Sequence, residues 1–74
     1  MKTLDSLKVG ETTKVVSVHG EHTALRRRLL DMGLTPDTEV SITRMAPLGD
    51  PIELSLRGYS LTIRKSDASL VEVL

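Results

Sequence analysis

The chain contains no phenylalanine, tryptophan or cysteine, and Tyr59 is its only aromatic residue. Any interior it forms must therefore be aliphatic, built mainly from twelve Leu, seven Val and three Ile residues. No disulfide or thiolate metal site can reinforce such an interior. At 74 residues the margin is thin, because a chain of this size buries only ~60% of the surface its unfolded form exposes. No apolar run exceeds two residues, which leaves no membrane-spanning helix or signal peptide. Ten basic residues balance ten acidic ones, so no global field draws the chain to nucleic acid or anionic lipid. The expectation is a soluble, cytoplasmic protein. Composition is even, without repeats or linkers, and residues 1–74 read as one domain.

The apolar residues sort into short alternating runs. Thr13 to His19 is β-branched and alternating, which predicts a strand ended by Gly20. Thr38 to Met45, Ile52 to Leu56, Tyr59 to Arg64 and Leu70 to Leu74 predict four more. Arg57-Gly58 is a tight hairpin turn, and the Pro/Gly-rich segment Ala46 to Pro51 is a loop. Thr3 is placed to cap a short turn over Leu4 to Leu7.

One helix is predicted, over Thr23 to Met32. With Leu25 as origin, Leu29 falls at about 40° and Met32 at about 340°, one apolar stripe. Leu30 falls at about 140°, off the stripe. Gly33 suits the left-handed position past the helix end, with Leu34 folding back on Leu29. Five strands and one inserted helix make a mainly β, strongly bent antiparallel barrel. Its expected core is Val40, Ile42, Leu54, Leu56, Leu61, Ile63 and Val73, with Leu25 and Leu29 covering one end.

Three segments carry a resemblance. Arg26 to Leu34 reads RRRLLDMGL, Ala46 to Pro51 reads APLGDP, and Arg57 to Arg64 reads RGYSLTIR. In that order and spacing the chain resembles the FeoA family, small cytosolic proteins of the bacterial ferrous iron transport system. The resemblance runs from about Leu4 to Val73. It implies an SH3-like barrel and a role beside FeoB, the membrane iron permease with a cytosolic GTP-binding domain. A related domain forms the tail of some iron-dependent repressors.

The candidate sites are few. Catalysis is not expected: Ser17 and His19 are neighbours on one strand face, but no third group is evident to orient them. His19-Gly20-Glu21-His22 offers imidazoles and a carboxylate suited to ferrous ion. It reads more simply as a solvated connection before a helix, so His19 and His22 are candidates but no metal site or cofactor is expected. The arginine triplet spreads around the helix, and Arg27 and Arg28 are spaced to pair with Asp31. Nucleic-acid binding would want a basic face or stacking aromatics, and a polyproline groove would want more aromatics than Tyr59, which reads as partly core.

Leu30, Leu48 and Arg26 are the expected partner-binding residues, since large apolar side chains framed by arginine suit an interface centre; the alternative is that Leu30 and Leu48 cover the barrel ends. The expected function is binding, with regulation or assembly of a FeoB-type permease through its cytosolic part, and contact with the membrane only through that permease. Self-association stays open. The alternative is a nucleic-acid-binding small barrel or a repressor-type regulatory domain.

Overall fold

The computed structural model describes residues 1–74. A 3-10 turn over Leu4–Ser6 leads into β1 (Thr12–Val18), α1 (Ala24–Asp31), β2 (Glu39–Met45), β3 (Ile52–Leu56), β4 (Tyr59–Ile63), α2 (Lys65–Ala68) and β5 (Val71–Val73). The strands form one antiparallel sheet in the order β4-β3-β2-β1-β5. None of the helices is long and apolar enough to cross a membrane.

Two register breaks bend this sheet into a barrel. The first half of β1 pairs with β2, from Thr12↔Ser41 to Lys14↔Glu39. Its second half pairs with β5, and the register shifts between Val15 and Ser17. A bulge there re-aims the strand and adds twist. It also shifts the alternation, so Val15 and Val18 are both buried while Val16 is exposed. A second shift lies in β2 between Ile42 and Arg44. The β3–β4 hairpin runs unbroken from Leu56↔Tyr59 to Ile52↔Ile63. Arg57 and Gly58 in its turn both take positive φ, 48° and 84°, the backbone of a type I′ turn.

The expected core is buried at Val40, Ile42, Leu54, Leu56, Ile63 and Val73, and Leu29 of α1 is fully buried. Leu25 is half-buried against this core. Leu61 is also only half-buried, contrary to expectation. It shares a face with Ile63, but β4 is an edge strand and no further strand shields it. Tyr59 is likewise more exposed than expected, at 44%. Leu4, Leu7, Leu34 and Ala68 complete the core from outside the strands. Ala68 belongs to α2, so the chain has two α-helices where periodicity predicts one. Four residues are too few for a helical repeat to show. The last strand is shorter than predicted, because Leu70 stays in the turn and accepts a hydrogen bond from the His19 N–H (2.8 Å). Thr3 does not cap the first turn with its side chain; its hydroxyl donates to Asp5 instead.

Gly33 closes α1 as predicted. Its N–H bonds to the Leu30 carbonyl (3.0 Å) and the Leu34 N–H to the Leu29 carbonyl (3.2 Å), the paired bonds of a Schellman motif. Gly33 has φ 107°, and a Cβ there would lie 3.0 Å from the Tyr59 hydroxyl and 3.2 Å from Leu56 Cδ1. Gly33→Ala is therefore expected to destabilise by about 1–3 kcal/mol. Gly49→Ala is the control: its φ is also positive, 79°, but nothing lies within 4 Å of its Cβ position. Equal losses for the two variants in urea denaturation would show that the close approach to Tyr59 and Leu56 contributes nothing.

Candidate partner-binding surface

Thr23 has an extended backbone (φ −106°, ψ 151°) and caps α1, its hydroxyl accepting from the Arg26 N–H at 3.2 Å. The helix proper is thus one residue shorter at each end than predicted. Arg26 is held at its base: Nε donates to the Val18 carbonyl at 2.9 Å. This bond ties the helix to the end of β1 and leaves the other guanidinium donors without a protein partner. Arg27 and Arg28 are exposed. Neither pairs with Asp31, because the ion pairs of the protein both involve His19. The expected pairs have the basic residue N-terminal to the acid, the weaker orientation on a helix.

Leu30 is half-buried and packs against the core. Leu48 is the opposite case, 92% exposed at the tip of its loop. That loop is tied at its base. The Ala46 N–H bonds to the Pro51 carbonyl (3.1 Å), and the Gly49 N–H to the Ala46 carbonyl (2.7 Å). Asp50 accepts the Lys65 N–H at 3.0 Å, fastening the loop to α2, and the Asp50–Pro51 bond is cis. An apolar side chain is thus carried outward on a braced turn.

The base of the loop also lines a groove with α1. Pro51 stands there with Arg28 and Met32 of the helix, Thr62 and Ile63 of β4, and Arg64 and Asp67 beyond. Met32 lies about 160° around the helix from Leu30. The loop therefore meets the flank bearing Arg28 and Met32, while Arg26 and Leu30 occupy the other. Arg26 and Leu30 are neighbours; Leu48 is not brought onto their flank through this groove. Sequence periodicity had no means of showing this, because the flank depends on how the barrel seats the helix.

The histidines follow the C-terminal end of β1, the end to which Arg26 is tied. His19 Nε2 lies 2.8 Å from Glu72 Oε1 and 3.3 Å from Ser17 Oγ, with Ser17 Oγ 3.4 Å from Glu72. Glu72 is the third group that the sequence did not reveal, delivered by the Ser17↔Glu72 register of β1 and β5. The three do not form a catalytic relay. A relay holds the acid on one ring nitrogen and the hydroxyl on the other, and here both approach Nε2. Glu21 has its carboxyl below the usual carboxylate range, first through its own backbone N–H and then through attraction to His19, Arg26 and His22. His22 is exposed, with φ 67°.

No three His, Asp or Glu side chains converge as metal ligands. Tag-free protein titrated calorimetrically with ferrous ion or zinc is expected to show no saturable micromolar site. Such a site, lost on His19→Ala or His22→Ala, would overturn that expectation.

Comparison with known proteins places this geometry. The model of the FeoA domain family matches residues 2–74. A curated relative, the Fe(2+) transport protein A/Fe(2+) transporter FeoB fusion protein of Porphyromonas gingivalis, is 31% identical over 70 residues. The match takes in 95% of this chain but only 8% of that protein. Among solved structures, the FeoA protein of Chlorobium tepidum superposes with a TM-score of 0.87 at 43% identity, covering 97% of this chain and 68% of that one. FeoA of Stenotrophomonas maltophilia, determined with zinc and described as a prokaryotic SH3 domain protein, gives a TM-score of 0.87 at 29% identity, covering 99% and 89%. The bent barrel is thus of the SH3-like type.

Proposed function

The chain belongs to the FeoA domain family, and from that premise we propose that it acts by binding the cytosolic part of a FeoB-type ferrous iron permease, regulating or helping to assemble it. It works in the cytoplasm as a single unit over residues 1–74, holds no resident cofactor, and reaches the membrane only through the permease. The observation that carries this reading is the Porphyromonas gingivalis relative, in which a segment like this chain and a ferrous iron transporter are one polypeptide. Covalent linkage makes sense where two parts act on each other, since it converts their encounter into an intramolecular event.

We place the contact on Leu48, Arg26 and Leu30, with a partner that spans α1, since the loop meets one flank of the helix and Arg26 and Leu30 lie on the other. Leu48 is an apolar side chain standing in solvent on a braced loop, and Arg26 has guanidinium donors to spare. The deciding experiment offers the tagged chain both the full-length permease in detergent and a mixed-sequence oligonucleotide, at physiological salt. Retention of the permease alone is expected. Salt-sensitive retention of the oligonucleotide, with none of the permease, would replace this reading with the nucleic-acid one.

A further inference from the structure

The two edges of the sheet are finished differently. At β5 the N-terminal segment supplies a cover: the Val73 N–H donates to the Lys2 carbonyl (2.9 Å), and Thr3 bridges to Glu72. At β4 there is no cover. Tyr59 to Ile63 pair with β3 alone, and none of these residues takes part in the remaining backbone or side-chain hydrogen bonds. In a hairpin closed by a two-residue turn, the residues flanking the turn exchange hydrogen bonds and the pattern then alternates. Tyr59, Leu61 and Ile63 therefore spend their backbone groups on β3. Ser60 and Thr62 direct theirs outward, and both residues are exposed.

Proteins commonly blunt such an edge with a charge, a proline or a bulge within the strand. The sequence YSLTI has no charge and no proline, and its pairing has no register break. The charges stand at its ends. Arg57 precedes it, Arg64 and Lys65 follow it, and Arg28 of α1 lines the groove beside Arg64. None of these four cations has a carboxylate within ion-pair distance, since both ion pairs involve His19. Arg57 bonds only to the hydroxyls of Thr35 and Thr38, at 2.8 and 2.9 Å. Asp67 is the one acidic side chain in the groove. A second copy pairing antiparallel through β4 would set Arg57 against Arg64 and Lys65 of its mate. Like charges placed opposite each other disfavour that pairing.

We propose that the β4 edge accepts an extended segment of a partner protein as a sixth strand, a segment of uncharged, β-prone residues with carboxylates at both ends. Main-chain bonds to Ser60 and Thr62 give the affinity, and the flanking cations select the acidic termini. This surface is independent of the permease reading and stands or falls on the edge itself.

The test uses three synthetic peptides added to the full chain: Glu-Glu-Thr-Val-Thr-Val-Thr-Glu-Glu, its counterpart with lysine in place of glutamate, and the acidic peptide N-methylated at alternate residues so that one edge cannot donate. Amide exchange and NMR shifts are followed. The acidic peptide is expected to protect the Ser60 and Thr62 amides and to bind at least about tenfold more tightly than the other two. Thr62→Pro, which removes one outward donor at an edge position where proline is tolerated, is expected to weaken binding comparably. Equal binding of the acidic and basic peptides would overturn the charge argument. Binding without protection at Ser60 and Thr62, undiminished binding by the N-methylated peptide, or no binding at all would overturn the strand. Concentration-dependent protection of these amides without peptide would make the occupant a second copy and overturn the proposal as well.

Discussion

Leu54→Ala is expected to remove about 2–5 kcal/mol of stability from a total of ~5–15 kcal/mol, bringing the protein close to unfolding. Leu54 is 0% exposed and sits at the middle of β3, itself held between β2 and β4. Its register partners are Ile42 on one side and Leu61 on the other. The cost has two parts, the lost transfer of the removed methyl groups and the cavity left behind. The second part is set by how far the neighbours can collapse. Two paired strands of β-branched and leucine side chains give little room for that, and the only methionines packed against the core, Met32 and Met45, are partly exposed at its margin. Leu61→Ala, on the same hairpin but half-buried, should cost clearly less. Urea denaturation with an unchanged slope is the measurement. A loss below about 1 kcal/mol at Leu54 would place it outside the core.

These two leucines also mark where sequence reading reaches its end. Alternation predicts that Leu54 and Leu61 share an interior face, and they do. It says nothing of strand order, and strand order is what leaves Leu61 at the edge. The same reasoning explains Val16. Strict alternation would bury only every second residue of β1, but the shift at Val15/Ser17 buries Val15 and Val18 together. Signals in which one residue type demands one backbone conformation are the most legible. The Gly33 helix end and the Arg57-Gly58 turn follow from local chemistry and are present, whereas the expected Thr3 cap is not, and periodicity counts the capping Thr23 as part of the helix. Features that need distant segments to meet are not legible. Glu72 reaches His19 across 53 residues of chain, and Pro51 joins Arg28 and Met32 only because the barrel seats the helix there. The candidate surface falls between these cases. The Pro/Gly surroundings of Leu48 leave it either exposed or folded over a barrel end, and the structure exposes it. The half-burial of Leu30 does not follow from its angle on the helix, because a short helix pressed on a small barrel leaves little of its circumference free.

That difference separates two substitutions which sequence alone would treat as equivalent. Leu30 packs on the core, so Leu30→Ala removes interior contacts along with any partner contact. A loss of iron uptake in that variant would not tell the two apart. Leu48→Ala is free of this ambiguity. At 92% exposure its side chain contributes almost nothing to the fold, and truncation should shift stability by no more than about 0.5 kcal/mol. If the loop tip enters a pocket on the permease, the same truncation removes an interface anchor. That costs about 2 kcal/mol or more, roughly thirtyfold in affinity. The bracing of the loop by Asp50 and the Ala46–Pro51 pair favours a large effect, since a held side chain loses little freedom on binding. Leu48→Ala is therefore expected to abolish support of ferrous iron uptake and capture of the permease, with the thermal midpoint nearly unchanged. A large fall in the midpoint would mean that Leu48 has a structural role its exposure conceals. Intact capture with an intact midpoint would move the partner surface away from the loop.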